Sequence, residues 1–440
     1  MTTARRVLWF RRDLRLADLP ALLDAAADDA EVLACYVLDP RLKARSGARR
    51  LQFLYDSLRE LHSALDGRLL VAHGRPEARI PAVARAVGAT SVHVTADFTP
   101  FGRRRDDAVR EALGDITLEE SGSPYLVSPG RVTKDDGEPY KVFTPYYRRW
   151  LEHGWRAPAR TGAGRVRWID PGDAAPRRGL GTNHHIPDPG TQLELPAGER
   201  AARRRWRAFV ENGLQRYAED RDRPDIDGTS RMSAYLHFGN IHPRTMAVDL
   251  TGDSPGRHAY LRELAFRDFY AAVLAQWPRS AWCNFNTDFD AIEVDDGAAA
   301  EQSYAAWKDG RTGFPIVDAG MRQLRATGFM HNRVRMIAAS FLVKDLHLPW
   351  QWGARWFLDQ LVDGDMASNQ HGWQWAAGCG TDAAPYFRVF NPDAQAGKFD
   401  PDGAYVRRWI PELGTADYPD PMVDHRVERT EALRRYGRIS

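Results

Sequence analysis

Residues 363–375 read DGDMASNQHGWQW and place two carboxylates, an amide and two tryptophans close together. An Asp-Gly-Asp turn that leads into a helix provides fixed acceptors at the helix start, and Asn369 and Trp373 then lie four residues apart on one helical face. A flat polar ligand fits such a face. The same pattern also fits a capped helix whose Trp373 and Trp375 fill a hydrophobic core, so the rest of the chain has to decide.

The composition is that of a large folded protein. The chain has 440 residues, of which 43% are hydrophobic, and this predicts two or more domains. No run of about 18 apolar residues occurs, and the start MTTARRVLWF lacks the pattern of a signal peptide, so we expect a cytoplasmic protein without a membrane span. Cys35, Cys283 and Cys379 form no C-x-x-C pair, which favours packing residues over disulfides or a zinc site.

The net charge is only +2, but arginines cluster locally, as in RRRW at 203–206. A balanced chain can still bind nucleic acid, because a local basic cleft is enough to contact phosphates. Solvated helix faces carry the same kind of cluster.

The first part of the chain alternates strand and helix patterns. Apolar or β-branched segments occur at 7–10, 32–37, 69–72 and 91–95, and helical patterns occur at 49–65 and 76–87. This alternation predicts an α/β domain with a parallel sheet over residues 1–125. The first strand is followed by RRDLRLAD and not by a Gly-rich turn, so the dinucleotide fingerprint is absent.

The later part of the chain has a different character. Residues 126–196 are rich in Pro, Gly and charge and predict a linker, in which only 143–151 has sustained periodicity. Residues 197–440 have helical patterns and contain ten of the fourteen tryptophans. Helices with this aromatic content form a wide, rigid core that can surround a ring system.

Three further segments of the helical part combine polar and aromatic residues. GTSRMS at 228–233 offers hydroxyls and backbone N–H groups at an apparent helix start, which suits phosphate oxygens as well as ordinary capping. In RELAFRDFY at 262–270, Glu263 and Arg267 have the spacing of a surface ion pair, whereas Phe266 indicates that the carboxylate lies beside an apolar cavity. GFMHNRVRM at 328–336 puts an amide, a cation and a thioether on one helix face.

Taken in order along the chain, these motifs resemble the DNA photolyase and cryptochrome family. The resemblance covers nearly the whole chain and rests on segments in a fixed order: WFRRDLRLAD, GTSRMS, RDFY, GRTGFPIVDAGMRQL, MHNRVRM, ASFLVKDL, DGD with WQW, TDAAPYFRVFNP, KFD and YVRRWIPEL. It implies an antenna-binding α/β domain, a long linker, and an all-helical domain that holds FAD, which is active in its reduced form.

The resemblance implies a set of flavin-binding residues: Tyr217, Thr229, Ser230, Arg231, Met232, Ser233, Arg267, Asn332, Arg335, Asp363, Asp365 and Asn369. Residues 217 and 229–233 would meet the phosphates and the ribityl chain, and Arg335 would pair with Asp363. Asn369 would face the reactive ring nitrogen, where an amide suits either protonation state by rotating. Plant-type cryptochromes carry an acid at this position, so Asn369 favours repair.

The resemblance also implies UV-damaged DNA as the partner. The matching substrate positions are Arg221, Glu263, Phe266, Arg267, Asn332, Arg333, Met336, Trp375 and Arg388. Photolyases for the (6-4) photoproduct need a histidine acid in the segment 332–336, and His331 is out of register with it. Met336 matches the class that repairs cyclobutane dimers, in which the glutamate at the position of Glu263 stabilises charge on the dimer. We therefore expect light-driven splitting of a flipped-out dimer, with Glu263, Asn369, Trp350 and Trp373 as catalytic residues.

The chain departs from the family pattern at several aromatic positions. Phe266 and Phe329 stand where tryptophan is frequent, and a phenyl wall offers less stacking area, so we expect altered affinity with repair retained. Trp373 and Trp350 match the inner and middle members of a relay that reduces the flavin. The outer member is missing from 289–306; Trp352 or Trp356 is a candidate exit, and we interpret Trp307 as a core residue.

The remaining expectations concern the antenna and the alternatives. Asp97, Phe98 and Arg103 resemble an antenna-pocket segment, although Thr99 stands where an acid is often found; we favour a deazaflavin over a folate. We expect a monomer without a metal, a membrane or an obligate protein partner. The alternatives are a blue-light receptor of cryptochrome type, and a hydrolase in which DGD with His347 or His371 binds Mg²⁺.

Overall fold

The computed structural model describes residues 3–174, 185–383, 385 and 388–439. Its sheet has the strands β1 (Arg5–Phe10), β2 (Glu31–Leu38), β3 (Leu69–His73), β4 (Ser91–Val94), β5 (Thr117–Glu120) and β6 (Arg167–Trp168). Five strands follow the order β3-β2-β1-β4-β5, β6 pairs with β2, and every pair is parallel. The predicted parallel α/β sheet is therefore confirmed. The sequence did not reveal β5, whose residues are mostly exposed, or the two-residue β6.

The sheet is buried on both faces, as a parallel sheet requires. Leu8 and Phe10 of β1 point to the side that is shared with the helical part, while Val7 and Trp9 point to the opposite side. Because successive strand residues alternate between faces, one short strand contributes to two cores.

The helices begin and end close to the predicted patterns. They are α1 (Pro20–Ala25), α2 (Pro40–Lys43), α3 (Ala48–Ala64), α4 (Pro76–Val87), α5 (Pro100–Leu113), α6 (Phe143–His153), α7 (Pro171–Ala174), α8 (Glu199–Asn212), α9 (Tyr217–Asp220), α10 (Ser233–Phe238), α11 (Pro243–Ala247), α12 (Pro255–Gln276), α13 (Gly297–Asp309), α14 (Pro315–Thr327), α15 (Asn332–Lys344), α16 (Trp350–Gln360), α17 (Met366–Ala377), α18 (Pro392–Phe399), α19 (Ala404–Trp409) and α20 (His425–Tyr436). Short 3₁₀ turns lie at Ala27–Asp29, Ala163–Arg165, Leu214–Arg216, Val248–Leu250, Pro278–Ala281 and Thr287–Ala291.

Residues 175–184 of the segment predicted as a linker lie outside the described residues, and the rest of this segment contacts both parts of the molecule. It supplies β6 to the sheet, and Trp150 of α6 donates its indole N–H to Asp268 of α12 over 3.1 Å. The domain limits 1–125, 126–196 and 197–440 remain predictions.

The α/β part and the helical part are packed closely together. Gly239 follows α10 with a φ of 67°, and a Cβ atom there would lie 2.1 Å from the carbonyl oxygen of Arg12. The neighbouring Leu14 N–H donates to the carbonyl of Phe238 over 3.1 Å. Glycine is thus required for the close approach that brings the start of the chain to the helical part.

Two expectations from composition have structural outcomes. Cys35 and Cys379 are buried and free, but Cys283 is exposed, so the packing interpretation was wrong for that residue. Its segment is a surface turn between α12 and α13. Among the described residues, none of the helices combines the length and the apolar character needed to cross a bilayer.

Candidate functional site

The first charged pair of the site joins α15 to the turn just before α17. The Arg335 guanidinium lies 3.0 Å from Asp363 Oδ2 and also donates from Nε to the carbonyl of Met330 over 2.8 Å. Ser233 hydrogen-bonds the same carboxylate. Burial opposes ionisation of Asp363, but Arg335 and Ser233 outweigh it and lower its pKa. The predicted contact between Arg335 and Asp363 is therefore present.

Asp365 has two roles and a distant partner. It is the N-cap of α17 and accepts from the Ser368 N–H over 3.1 Å. It also lies 2.5 Å from the guanidinium of Arg12, which belongs to the α/β part. Burial opposes ionisation of Asp365, but Arg12 and His237 hold its pKa well below the usual range. This role of Arg12 was not predictable from local sequence, because its partner lies hundreds of residues away.

We expect this ion pair to couple the α/β part to the candidate site. The Arg12 and Asp365 side chains are only 24% and 13% exposed, so Arg12→Met should lower the free energy of unfolding by about 3 kcal/mol. A urea-unfolding double-mutant cycle with Asp365→Asn should give a coupling energy of about 1–3 kcal/mol. Additive effects of the two substitutions would show that the two parts are not coupled here.

The amide of Asn369 is held in one orientation. Its Nδ2 donates to the carbonyl of Ala354 over 3.0 Å and to Gln370 Oε1 over 2.7 Å. Gln370 is itself fixed, because its own amide nitrogen donates to the Ala281 carbonyl. In this arrangement, rotation of Asn369 would bring its oxygen against two acceptors; the rotating amide stays a prediction. Its Oδ1 is left as an acceptor for a ligand N–H.

Residues 229–233 border a cavity. Arg231 and Ser233 line it together with Phe329 and Asp363, and the Arg231 guanidinium lies 4.6 Å from the centre of the Phe329 ring. Met232 occupies the N-cap position of α10 and makes no side-chain cap, so capping does not explain this segment. A cavity with a cation and a hydroxyl at its edge suits phosphate oxygens.

Several predicted contact residues of this region are engaged within the protein. The Ser230 hydroxyl hydrogen-bonds the Tyr260 hydroxyl over 2.8 Å, and Met232 is buried in the core. Tyr217 is also buried, and burial raises its pKa well above the usual range. Thr229 is partly exposed and Asn332 is exposed. The structure therefore leaves Thr229 and Ser233 more exposed than Ser230 or Met232, whereas Arg231 is paired with Glu194 over 2.9 Å.

Glu263 is paired with a different arginine from the one that the sequence spacing suggested. Arg221 Nη2 lies 2.8 Å from Glu263 Oε1, whereas Arg267 donates to the carbonyls of Pro124 and Leu236 over 2.8 and 3.2 Å. The surface ion pair between Glu263 and Arg267 is therefore absent, because Arg267 is drawn to the chain segment beside α12. Burial raises the pKa of Glu263, with Arg221 acting in the opposite direction.

Phe266 is backed by a second phenyl ring. Phe143 of α6 stacks on it with ring centroids 3.5 Å apart and planes 6° apart. The Arg262 guanidinium lies 4.8 Å from the Phe143 ring and 5.6 Å from the Phe266 ring. One face of the Phe266 ring is therefore covered by Phe143, a contact that was not predicted from the sequence.

Three arginines among the predicted substrate positions, Arg221, Arg333 and Arg388, differ in how free they are to contact a DNA phosphate. Arg221 is paired with Glu263, and Arg333 lies 2.8 Å from Asp222. Arg388 is exposed, and Lys344 donates to its carbonyl over 2.8 Å. Arg388 is thus the predicted arginine that has no ion pair among the described residues.

The other predicted substrate residues lie at the helix starts and ends around this region. Asn332 Nδ2 lies 4.0 Å from the sulfur of Met336 one turn later on α15. Trp375 is partly exposed and contacts Phe390, with ring centroids 6.4 Å apart. Asn332 and Trp375 thus have surface that a ligand can reach. His331, in contrast, caps α15 by accepting from the Arg333 N–H over 3.2 Å.

Trp373 lies in an aromatic cluster and is 2% exposed. Its indole N–H has no hydrogen-bond partner although it is buried, a costly state that a ligand would relieve. Its ring contacts Trp307 and Phe357, with centroids 6.0 and 4.9 Å away. Trp307 is completely buried, in agreement with its interpretation as a core residue.

The predicted antenna segment is folded onto itself. Asp97 accepts from the Thr99 N–H and hydroxyl over 3.0 and 2.9 Å and lies 3.2 Å from Arg105. Burial opposes ionisation, yet Arg105 and neighbouring arginines lower the pKa of Asp97 to about 2. Phe98 contacts Tyr125, and Arg103 is exposed.

The carboxylates of the DGD turn do not form a cation site. Asp363 and Asp365 are each compensated by an arginine, His347 lies 2.8 Å from Glu428, and His371 bonds the carbonyl of Ala367. In the part of the chain that the structure describes, no three His, Cys, Asp or Glu side chains are grouped as metal ligands. The hydrolase alternative therefore has no support.

Family models and a known relative both show similarity to DNA photolyases. Residues 6–163 match the family model of DNA photolyase, and residues 260–417 match that of the FAD binding domain of DNA photolyase. A deoxyribodipyrimidine photo-lyase of Thermus thermophilus is 41% identical, over 99% of this chain and 98% of that protein.

Solved structures give the same result. A class III photolyase from Agrobacterium tumefaciens has a TM-score of 0.90 and 35% identity, covering 100% of this chain and 98% of that one. A cryptochrome from Synechocystis has a TM-score of 0.87 and 26% identity, covering 99% and 100%.

Proposed function

This chain belongs to the DNA photolyase family, and from that premise we propose that it repairs cyclobutane pyrimidine dimers in DNA with light. Reduced FAD, when bound, would supply the electron that opens the dimer after absorbing blue light. The protein would hold the flipped-out dimer, stabilise the charge that develops on it, and return the electron without net oxidation.

The state of Glu263 is the observation that carries this proposal. Its Oε1 atom is shielded from solvent and lies 2.8 Å from Arg221 Nη2, while the side chain as a whole is 33% exposed. Burial raises the pKa of Glu263 and so favours the protonated carboxyl, which can donate a hydrogen bond to a carbonyl of the substrate. We assign Glu263 as the group that hydrogen-bonds the dimer.

The residues around the start of α17 fit a flavin. Asn369 presents a fixed acceptor oxygen, which suits a ring N–H; Trp373 has an unpartnered indole N–H. Arg335 and Asp363 would lie beside the ring system, while Arg231 and Ser233 would lie at the phosphate end. The remaining flavin-binding residues of the family pattern are assigned on the resemblance alone.

The choice of lesion is supported by His331. This histidine accepts from the Arg333 N–H as the cap of α15, and burial lowers its pKa to about 4. A neutral histidine that is engaged as a cap is a poor general acid, which argues against the (6-4) photoproduct. We further propose a deazaflavin antenna and a monomer that acts in the cytoplasm without an obligate protein partner.

The proposal is tested with a cyclobutane-dimer oligonucleotide and the purified, dithionite-reduced holoprotein under blue light. Dimer loss is measured by chromatography, with a dark reaction and a (6-4) oligonucleotide as controls. We expect light-dependent restoration of the cyclobutane dimer only. Bound flavin without repair of either lesion would contradict the proposal and favour the cryptochrome alternative, for which Phe266 would be the first residue to examine.

DNA binding should depend on salt and on Arg388. Because Arg388 is exposed and has no ion pair among the described residues, Arg388→Ala should weaken binding of damaged and undamaged DNA alike and reduce the slope of log K against log salt by about 1. Fluorescence anisotropy titrations at several salt concentrations measure this slope. Arg75→Ala, which removes an exposed arginine from the α/β part, is the matched control. An unchanged slope in Arg388→Ala would remove Arg388 from the phosphate contacts.

A further inference from the structure

We propose that electrons reach the flavin of this protein by a side route that runs from Trp352 at the surface through Tyr304 and Trp307 to Trp373. This route replaces the missing outer tryptophan of the relay through Trp350. The inference rests on the proposed function in one respect, since it requires a flavin beside Trp373.

The route is a continuous series of ring contacts between three helices. The rings of Trp373 on α17 and Trp307 on α13 have centroids 6.0 Å apart. Tyr304, one turn earlier on α13, stacks on Trp307 at 6.0 Å and 17°. Trp352 on α16 lies 5.1 Å from Tyr304 and is partly exposed. Neighbouring rings at such distances allow short electron hops, which are faster than one long transfer.

Trp350 has no comparable continuation. It is 5% exposed, its indole N–H donates to Asn284 Oδ1 over 2.8 Å, and its ring makes no aromatic contact within the described part of the chain. An electron vacancy that reached Trp350 would have no neighbouring ring to move to. The aromatic contacts of Trp373 lead toward α13 instead.

Tyr304 acts as a bridge and does not hold the positive charge. Oxidation of a phenol is favourable when the hydroxyl proton can leave, but the Tyr304 hydroxyl donates to the backbone carbonyl of Trp352 over 2.9 Å, and a carbonyl is a poor base. Lys308 Nζ also lies 4.5 Å from the centre of the ring, and its charge disfavours a second positive charge there. The π system of Tyr304 therefore connects two indoles that are easier to oxidise.

Trp352 is a better exit than Trp356. Lys308 Nζ lies 5.3 Å from the Trp356 ring, whereas no cation lies over Trp352 among the described residues. Trp356 also has a buried indole N–H without a partner, so a radical cation there has no acceptor for its proton. Trp352 reaches solvent, where its N–H proton can be lost to water.

Each electron that leaves the protein by this route would be replaced from solution. Trp373 would give one electron to a bound, photoexcited oxidised flavin, Trp307 would refill Trp373, and Trp352 would refill Trp307 across Tyr304. Trp352 then loses its indole proton to water as a neutral radical. A one-electron reductant of the thiolate class returns one electron, and water returns the proton, so the protein ends unchanged and one electron has been delivered.

The test compares five variants of the FAD-bound protein, Trp350→Phe among them, under blue light with a thiol as the reductant. Transient absorption follows the indole radical, and flavin absorbance follows photoreduction. Trp352→Phe and Tyr304→Leu should each slow photoreduction several-fold and shorten the lifetime of the radical, because the vacancy returns before it reaches solvent. Tyr304→Phe keeps the ring and should slow the reaction less than Tyr304→Leu. Trp356→Phe, which changes a partly exposed tryptophan of the same helix, is the matched control.

A second readout does not rely on the absorbance of the flavin. Prolonged illumination should leave oxidation products on Trp352 in excess of those on Trp356, and peptide mass spectrometry measures them. Photoreduction that is lost in Trp350→Phe but unchanged in Trp352→Phe would overturn the route.

This outcome is distinguishable from failure of the proposed function. Repair by the dithionite-reduced variants does not use the route and should match that of the unsubstituted protein. If the route fails while this repair persists, only the side route is wrong; if no variant or parent repairs dimers, the proposed function is wrong.

Discussion

Glu263→Ala should keep bound FAD and lower light-dependent dimer repair about 100-fold, the size of effect seen when one preorganised partner of a developing charge is removed. Glu263→Gln retains a donor and an acceptor but not the charge, and we expect a smaller loss of about tenfold, equal to about 1.4 kcal/mol. Steady blue-light repair of a dimer oligonucleotide measures both variants, and the flavin absorbance of the purified proteins shows that the cofactor is retained.

The control for Glu263 is an acidic residue close to the same arginine. Glu219 on α9 is exposed and lies two residues before Arg221, so Glu219→Gln changes the local charge without touching the buried carboxyl. Repair by this variant should equal that of the unsubstituted protein. If Glu263→Gln and Glu219→Gln behaved alike, Glu263 would have no role in dimer splitting and only the overall charge would matter.

The fold was largely predictable because its signals are local. Residues that are neighbours along the chain carry the patterns that predict the strands at 7–10 and 32–37 and the helix at 76–87. The contact of Arg335 with Asp363 was predictable only through a family resemblance. Local periodicity determines which face of a helix or strand is apolar. This is enough to predict how helices and strands stack in layers, but not which side chains pair with one another.

Partner choice in the site was not predictable for a physical reason. Glu263 had an arginine at the correct helical spacing, yet it pairs with Arg221, because Arg267 finds carbonyl acceptors on a segment that the sequence does not place nearby. Arg12 and Asp365 are brought together by the packing of the two parts. The fixed amide of Asn369 likewise depends on Ala354 of another helix. Such contacts are properties of the assembled molecule.

Trp373→Phe should abolish most light-driven reduction of the flavin while repair by chemically reduced protein is retained. A phenyl ring is much harder to oxidise than an indole, and Trp373 is the one residue shared by the relay through Trp350 and by the side route through Trp307. We therefore expect photoreduction to slow about tenfold or more. Flavin absorbance under blue light with a thiol measures it, and dithionite-reduced repair is measured on the same preparation.

The smaller ring also leaves space, and this effect has to be separated from electron transfer. Gly353 approaches Trp373 so closely that a Cβ atom there would lie 2.1 Å from the indole, so truncation to Phe opens a gap at the contact with α16 and should cost about 1–3 kcal/mol of unfolding free energy. Trp409→Phe is the matched control, because Trp409 is partly buried and, like Trp373, has an unpartnered indole N–H. It should lose stability without losing photoreduction. If Trp373→Phe lost dithionite-supported repair as well, Trp373 would hold the shape of the site, and the assignment of an electron-transfer role would be wrong.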